Sequence, residues 1–255
     1  MVRVGRVALV TGGGRGIGRA ISLALAEGGA DIAVNYRSDS AAASETVMEI
    51  EKLGRRAIAV QASVDSLEDD ERMVSEVVGA FGFVDIVVHN GGIASRGRRV
   101  SDTDPAELER VIRTHAIGPH HLSRLVLPSM RERERGDIVM ISSVDTRPAA
   151  NGAPYNMGKA ALEGLAFTLA KEEQPNDIRV KVVAPGLVET EMGRRLVKGA
   201  AGIDDISTLN DMSPFGRVCQ PDDVANVVRF LVSERAGYVS GQKINVHGAG
   251  SGGGL

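Results

Sequence analysis

Seven short, mostly apolar runs alternate along the chain with longer amphipathic stretches, and this alternation limits the choice of fold more than any other feature. Continuous apolar runs without in/out alternation are typical of parallel strands buried on both faces. Strands that alternate with helices predict a Rossmann-type, doubly wound α/β fold, with about seven parallel strands and helices on both faces. The predicted strands are Arg6–Thr11, Asp31–Tyr36, Ala57–Gln61, Val84–Asn90, Asp137–Ser142, Arg179–Ala184 and Lys243–His247. The predicted helices are Ile17–Glu27, Ala41–Leu53, Leu67–Ala80, Pro105–Met130, Pro154–Gln174 and Asp222–Val232.

The chain of 255 residues shows no linker and no internal repeat, so we expect a single domain over residues 1–255. Two segments depart from the regular pattern. The glycine-rich end, GAGSGGGL, is expected to be a frayed terminus. The segment Gly193–Pro214 is long for a connection in such a fold, which makes it a candidate substrate lid.

Charge and composition exclude several functional classes. The net charge of −3 gives no basic footprint for nucleic acid. No apolar run approaches the roughly 20 residues of a membrane span, and the first residues show no apolar stretch with a cleavage site, so we expect no secretory signal. The single cysteine, Cys219, excludes an intrachain disulfide and a multi-cysteine metal site. We therefore expect no metal, no membrane and no nucleic-acid partner, and a cytoplasmic location.

The first predicted strand runs directly into the sequence TGGGRGIG. A strand-to-helix turn rich in glycine lets the backbone approach a pyrophosphate and points free helix N–H groups at it. The spacing is G-x-x-x-G-x-G, unlike the commoner G-x-G-x-x-G fingerprint. The candidate phosphate-binding residues are Gly12, Gly14, Arg15, Gly16, Ile17 and Gly18.

Tyr155 and Lys159 stand four residues apart in a predicted helix, so both side chains share one face. A tyrosine hydroxyl has a reference pKa of about 10 and is poorly matched to proton transfer at neutral pH. A cation within about 4–6 Å lowers that pKa. The pair therefore predicts proton transfer to a carbonyl or from an alcohol.

Six motifs, in order, resemble the short-chain dehydrogenase/reductase family. TGGGRGIG is similar to the family's TGxxxGIG, HNGGI to NNAG, and YNMGK to YxxxK. ISSV resembles the strand that carries the catalytic serine, APGLVETEM resembles PGxxxT, and YVSGQKINVHGAG resembles the closing YxxGxxxxVDGG. The resemblance covers nearly the whole chain.

The resemblance implies catalytic roles for Ser143, Tyr155 and Lys159, with Ser142 as the alternative serine, because the stretch from Ser143 to Tyr155 is about one residue short. His115 stands where the family has an asparagine that anchors a water in a proton relay. A histidine titrates near neutral pH, so His115 either replaces this relay or is inert. Cofactor contacts are implied for Ser63, Val64, Asn90, Gly91, Gly92, Tyr155, Lys159, Pro185, Gly186, Val188 and Thr190. Ser63–Val64 departs from the family's Asp-Val.

The end of the second predicted strand, NYRS, favours NADP(H) over NAD(H). NAD-binding folds place a carboxylate there to hold the ribose 2′-hydroxyl, and this chain has Tyr36 instead. Arg37 and Ser38 follow, and Arg37, joined by Arg15, can pair with a 2′-phosphate.

In size and motif spacing the chain is most similar to 3-oxoacyl-thioester reductases, which implies a small carbonyl or alcohol substrate, including carrier- or CoA-linked ones, and a homotetramer. A sugar- or polyol-type dehydrogenase and a dinucleotide-binding regulator with little turnover remain as alternatives. Two arginine groups, in Ser95–Arg99 and Met130–Asp137, are candidate contacts for an acidic carrier, although the second also fits a solvated helix end.

Overall fold

The computed structural model describes residues 5–146 and 150–249. Its seven strands form one sheet in the order β3-β2-β1-β4-β5-β6-β7, and every neighbouring pair is parallel. The doubly wound fold predicted from the alternation is therefore confirmed. The strands are β1 (Val7–Val10), β2 (Asp31–Tyr36), β3 (Ala57–Gln61), β4 (Ile86–His89), β5 (Gly136–Ile141), β6 (Ile178–Pro185) and β7 (Gln242–Val246).

Eight α-helices in the described residues flank this sheet. They are α1 (Gly16–Glu27), α2 (Ser40–Lys52), α3 (Leu67–Phe81), α4 (Pro105–Ile112), α5 (Gly118–Met130), α6 (Ala153–Glu172), α7 (Glu191–Ala201) and α8 (Pro221–Leu231). None of the helices in this part of the chain is long and apolar enough to cross a membrane. Helix α7 and a 3-10 segment, Ile206–Met212, occupy most of the candidate lid, which the sequence analysis treated as a connection. The end of the glycine-rich tail, residues 250–255, lies outside the described residues.

Two apolar cores, one on each face of the sheet, explain why the strands are apolar throughout. Ala8 and Val10 belong to the core that α1, α2 and α8 cover. Val7 and Leu9 belong to the core under α3, α5 and α6. Because successive strand residues point to opposite faces, both sets must be apolar.

The predicted helix Pro105–Met130 is interrupted by a π-helical turn, Arg113–Ile117, between α4 and α5. Pro119 gives the physical reason. A proline inside a helix has no N–H to donate, and its ring clashes with the carbonyl four residues earlier, here that of His115. A π-turn is a common way to absorb such a defect, and it frequently occurs at functional sites. The single uninterrupted helix expected from the sequence is therefore wrong at its centre, around His115.

The order of the strands reverses between β1 and β4, which pair with each other near the centre of the sheet. In open parallel sheets, ligands bind beyond the carboxyl ends of the strands at such a switch point. The glycine-rich segment that follows β1 lies at this crevice, so the fold itself indicates where a site should be.

The opposite edge of the sheet holds a buried ionic cluster around Asp137, a fully buried residue of β5. Its carboxylate accepts hydrogen bonds from Arg6 at 2.7 Å and Arg135 at 2.9 Å. Lys181 of β6, also fully buried, donates to the second carboxylate oxygen. Burial lowers the pKa of Lys181 to about 8, and the Asp137 carboxylate opposes this shift. Three cationic side chains thus contact one carboxylate at this edge of the sheet.

A second buried carboxyl has no such partners. Asp70 of α3 is fully buried, and neither of its carboxylate oxygens has a hydrogen-bond partner within the described part of the chain. Burial, reinforced by the charges of Asp69 and Asp65, raises the pKa of Asp70 to about 8. The side chain is therefore mainly protonated at neutral pH.

Candidate active site

The glycine-rich loop between β1 and α1 is packed so closely that side chains at several of its glycines would clash with the protein itself. Gly12 has a φ of 61°, and a Cβ added at Gly18 would lie 2.1 Å from the carbonyl oxygen of Gly12. Arg15 occupies the N-cap of α1 and makes no side-chain capping hydrogen bond. The N–H groups of the first turn therefore meet the requirement for binding a phosphate, because that end of the helix also carries the positive end of the macrodipole.

Side chains from neighbouring strands hold this loop in place. The N–H of Gly12 donates to Oδ1 of Asn35 at 3.1 Å, and the amide of Asn35 donates to Ala62 at 3.0 Å. The hydroxyl of Thr11 accepts from the N–H of Asn90 at 2.9 Å, while the Asn90 amide donates to the carbonyl of Thr11 at 2.9 Å. Sequence analysis singled out Asn90 but missed Asn35 and Thr11. Their polar character at the end of apolar strands was the available signal.

Tyr36 ends β2, and Arg37 and Ser38 follow it on the exposed surface. No carboxylate stands at this strand end. Arg15 is also exposed, and its guanidinium lies 3.1 Å from the carboxylate of Glu191 at the start of α7. The two arginines therefore offer positive charge beside the expected position of the adenine ribose.

Ser63 and Val64 follow β3 and reach the same crevice. The Ser63 hydroxyl donates to Asp65 at 2.6 Å, so this serine keeps a carboxylate nearby although it replaces an aspartate. Val64 lies against Gly118, where an added Cβ would come 1.7 Å from the Val64 carbonyl oxygen. A side chain at Gly118 would therefore displace the backbone of this segment.

The end of β6 closes the crevice from the other side. The N–H of Gly186, next to Pro185, donates to Val246 at 3.0 Å, and Val188 pairs with Cys219 in an isolated parallel bridge. Thr190 caps α7 by accepting from the N–H of Gly193 at 3.0 Å. Its methyl carbon would lie 3.4 Å from a Cβ at Gly16, so the fold brings this segment against the glycine-rich loop.

Helix α6 places Tyr155 and Lys159 one turn apart, as the spacing predicts. The Lys159 ammonium lies 5.6 Å from the centre of the Tyr155 ring and donates to the carbonyl of Ile141 at 2.7 Å. Lys159 is buried, which lowers its pKa to about 8, and the nearby Glu163 carboxylate opposes that shift. A buried ammonium beside a phenol is the electrostatic arrangement that favours loss of the phenolic proton.

The hydroxyl of Ser142, one of the two candidate serines, is hydrogen-bonded to α6. The Ser142 hydroxyl donates its single hydrogen bond to the carboxylate of Glu163, with 2.5 Å between the two oxygens. It cannot simultaneously donate to a substrate oxygen. Ser143 follows it directly and is also buried.

His115 is buried in the π-turn and packs edge-to-face against the Tyr155 ring, with ring centres 5.2 Å apart. Its Nε2 lies 2.8 Å from the carbonyl oxygen of Ile93 and 3.3 Å from the N–H of the same residue, so it donates to the first or accepts from the second according to the tautomer. A Cβ at Gly92 would fall 2.6 Å from its Cε1, so the glycine makes room for the imidazole. Burial, reinforced by the Lys159 charge, lowers the pKa of His115 to about 3. The shift is downward because charging a buried imidazole beside an ammonium is unfavourable.

Several arginines of the two arginine groups form ion pairs within the protein. Arg131 and Arg133 lie 2.5 Å and 3.0 Å from the carboxylates of Glu173 and Asp85, respectively, at the edge opposite the glycine-rich loop. In the first group, Arg96 lies 3.8 Å from Glu107. Only the first group is near the crevice. Within residues 5–146 and 150–249, no three His, Cys, Asp or Glu side chains are placed to hold a metal ion.

A family model described as enoyl-(acyl carrier protein) reductase matches residues 12–249 of this chain. The chain belongs to the short-chain dehydrogenase/reductase family. Among its relatives, versicolorin reductase 1 of Aspergillus parasiticus is 38% identical over 253 residues, which cover 96% of this chain and 95% of the relative. The 3-oxoacyl-[acyl-carrier-protein] reductase FabG of Staphylococcus epidermidis is 36% identical over 243 residues, covering 94% and 97%.

Solved structures of the same family also match this chain over nearly its whole length. A short-chain dehydrogenase from Burkholderia cenocepacia in complex with NADP is 34% identical, with a TM-score of 0.87 and coverage of 96% and 97%. The 3-ketoacyl-(acyl-carrier-protein) reductase from Brucella melitensis, complexed with NADH, is 29% identical, with a TM-score of 0.86 and coverage of 96% and 98%. Nicotinamide cofactors of both kinds therefore occur among these neighbours, and the chain is a family oxidoreductase.

The neutral state of His115 leads to a prediction about pH. His115→Leu, which removes the contact with Ile93 but keeps a similar volume, should lower kcat/KM by about tenfold without removing a titration between pH 5 and 9. The pH profile of kcat/KM for carbonyl reduction tests this, with His120→Leu on the exposed face of α5 as the control. A wild-type inflection near pH 6.5 that disappears only in His115→Leu would contradict the assignment.

Proposed function

We propose that the protein is an NADP(H)-dependent oxidoreductase that interconverts a carbonyl group and an alcohol. The observation that carries this proposal is the buried Lys159 ammonium one helical turn from Tyr155, at the carboxyl edge of the sheet and near the glycine-rich loop. A pure dinucleotide-binding regulator has no need of a buried lysine beside a tyrosine together with the buried Ser143. This favours an enzyme over the regulatory alternative.

Each of four residues has its own role in the proposed reaction. Tyr155 delivers a proton to the substrate oxygen during reduction and removes it during oxidation. Lys159 holds positive charge behind the phenol, and Ser143 donates a hydrogen bond to the same oxygen, which stabilises the charge that develops there. His115, through its bond to Ile93, is a positioning residue that keeps the loop after β4 against Tyr155.

The glycine-rich loop, the proposed cofactor cradle, suits a dinucleotide because Arg15 makes no side-chain cap at the α1 N-terminus, which leaves the N–H groups of the first turn for a phosphate. Gly186, Val188 and Thr190 would hold the carboxamide, and Asn90, Gly91 and Gly92 would border the nicotinamide side. A bound nicotinamide supplies the hydride that the protein itself cannot carry.

The preference for NADP(H) rests on charge at the end of β2. Tyr36 stands where a carboxylate would repel a 2′-phosphate, and the neighbouring Arg37 is exposed. Arg15 can join it by leaving Glu191, since that ion pair is exposed and contributes little.

The cofactor test changes one charge. Arg37→Ala should raise the Kd for NADPH by about 10–100-fold and leave the Kd for NADH unchanged, because a hydrogen bond to a charged group contributes about 1.5–3 kcal/mol. Fluorescence titration of both cofactors measures this, with Arg235→Ala at the opposite edge of the sheet as the matched control. Equal affinity of the wild type for both cofactors would contradict the proposal.

For the substrate, we propose a partly apolar ketone, with 3-oxoacyl thioesters as the first class to test. The staphylococcal relative supports this class by its name, and versicolorin reductase 1 supports reduction of a larger ketone. In the proposed lid, residues 193–214, Val197, Ile206 and Leu209 pack among themselves, whereas Leu196 and Met212 stay exposed and can meet an apolar substrate. Arg98 and Arg99 could meet an acidic carrier. A homotetramer in the cytoplasm completes the proposal.

NADPH consumption over a panel of 3-oxoacyl thioesters, sugars, cyclic ketones and quinones tests the substrate class. Turnover of thioesters well above the other groups is the expected result. Preference for sugars would favour the polyol-type dehydrogenase. Tight NADPH binding without turnover anywhere would favour the regulator.

A further inference from the structure

A small polar network joins α6 to the segment that carries Ser143. Glu163 lies one turn beyond Lys159 on α6, and its carboxylate accepts a hydrogen bond from the Ser142 hydroxyl at 2.5 Å. The N–H of Ser142 donates to the carbonyl of Val183 on β6 at 2.8 Å. The residue before Ser143 is therefore fixed by its backbone to the sheet and by its side chain to the helix.

Lys243 of the edge strand β7 completes the network. Its ammonium lies 2.7 Å from the same oxygen of Glu163 and donates to the hydroxyl of Thr146 at 2.8 Å. The side chains of Glu163 and Lys243 are only 13% and 23% exposed, so both charges lie in a partly desolvated place where they need each other. The ion pair thus holds both ends of residues 142–146.

We propose that Glu163 and Lys243 form a clamp that positions the Ser143 segment against Tyr155 and Lys159. The inference rests on the proposed function, because it assigns the purpose of the clamp to the carbonyl chemistry of that site. Neither residue touches the reacting atoms, so both are positioning residues. Displacement of a catalytic group by about 1 Å can cost 10²-fold in rate, which is the scale at which a clamp matters.

Glu163 has a second effect that Lys243 does not share. Its carboxylate opposes the fall in the pKa of Lys159 that burial causes. The other titratable groups around this point are Tyr155 on α6, His115 in the π-turn and Lys243 on β7. His115 is neutral, so the carboxylate of Glu163 is the negative charge that favours the ammonium of Lys159.

Two variants distinguish the positioning role of the clamp from the effect of the Glu163 charge on Lys159. Glu163→Gln and Lys243→Met should each lower kcat by about 10–100-fold, with the Kd for NADPH within twofold of the wild type. Only Glu163→Gln should move the alkaline limb of the pH profile to lower pH, because it alone removes the charge beside Lys159. Lys243→Arg should restore most of the activity. Glu172→Gln, at the exposed end of the same helix, is the matched control.

Amide hydrogen exchange tests the clamp without any turnover. A peptide that covers residues 141–146 should exchange faster in Glu163→Gln and Lys243→Met, whereas peptides from α1 and α3 should not change. Unchanged exchange at residues 141–146, or equal acceleration throughout the chain, would overturn the clamp. If the wild type reduced no carbonyl but the local exchange result held, the proposed function would fail and the clamp would stand as a structural device.

Discussion

Replacing Tyr155 with phenylalanine is expected to lower kcat for carbonyl reduction by about 10²–10⁴-fold, the usual contribution of a positioned acid or base. Phenylalanine keeps the ring that packs against His115 and lies near Lys159, so the fold and the cofactor cradle should be retained. The Kd for NADPH should therefore stay within about threefold of the wild-type value, because only the proton-carrying oxygen is lost.

Steady-state kinetics and a fluorescence titration of NADPH measure the two halves of this expectation. Tyr238→Phe is a suitable control, since that tyrosine is fully exposed and the substitution removes the same oxygen. If Tyr155→Phe kept kcat within a factor of three, proton delivery by Tyr155 would be wrong, even if the protein proved to be an active reductase.

Asp137→Ala is expected to destabilise the protein by about 3–5 kcal/mol, the cost of removing one partner from a buried ionic group. The substitution would leave Arg6, Arg135 and the fully buried Lys181 converging on one point without a compensating charge. For a chain of this size, each kcal/mol lowers Tm by roughly 2–4 °C, so a fall of about 10 °C is expected.

Urea denaturation and calorimetry measure the effect, and Asp204→Ala provides the contrast. Asp204 pairs with Lys198 on the surface, where both side chains are mostly exposed, so its loss should change the stability by no more than about 0.5 kcal/mol. A loss below about 1 kcal/mol for Asp137→Ala would show that the cluster is solvated or rearranges freely.

The order and type of most elements could be predicted from the sequence because the signal is local. A strand buried on both faces must be apolar throughout, and the predicted run Asp31–Tyr36 coincides with β2. The π-turn could not be predicted with the same rules. Its cause, Pro119, stands within a helical pattern that also tolerates proline in a first turn, and periodicity alone does not distinguish the two. Helix α7 was missed because its buried residues serve a small separate core, which includes Val197.

The residues of the candidate site could likewise be predicted only in part. Tyr155, Lys159 and the glycine-rich loop carry their chemistry in their spacing, so the sequence indicates them directly. Asn35 and Thr11 act through hydrogen bonds to residues far away in the chain, and no local pattern reveals such partners. The role of Glu163 depends on Ser142 and Lys243, which the chain separates widely and only the sheet brings together.

The buried carboxyl of Asp70 couples folding of the chain to the pH of the solution. In the unfolded chain this group has its ordinary pKa near 4, whereas burial raises the folded value to about 8. Between these two values the folded protein holds a proton that the unfolded chain has released. Folding at neutral pH therefore takes up a proton from the buffer at this position. The contribution of Asp70 to the free energy of unfolding therefore falls as the pH rises from about 4 to 8. A rise in pH within this range thus weakens the core beneath α3 without any change at the carboxyl edge of the sheet, where the candidate site lies.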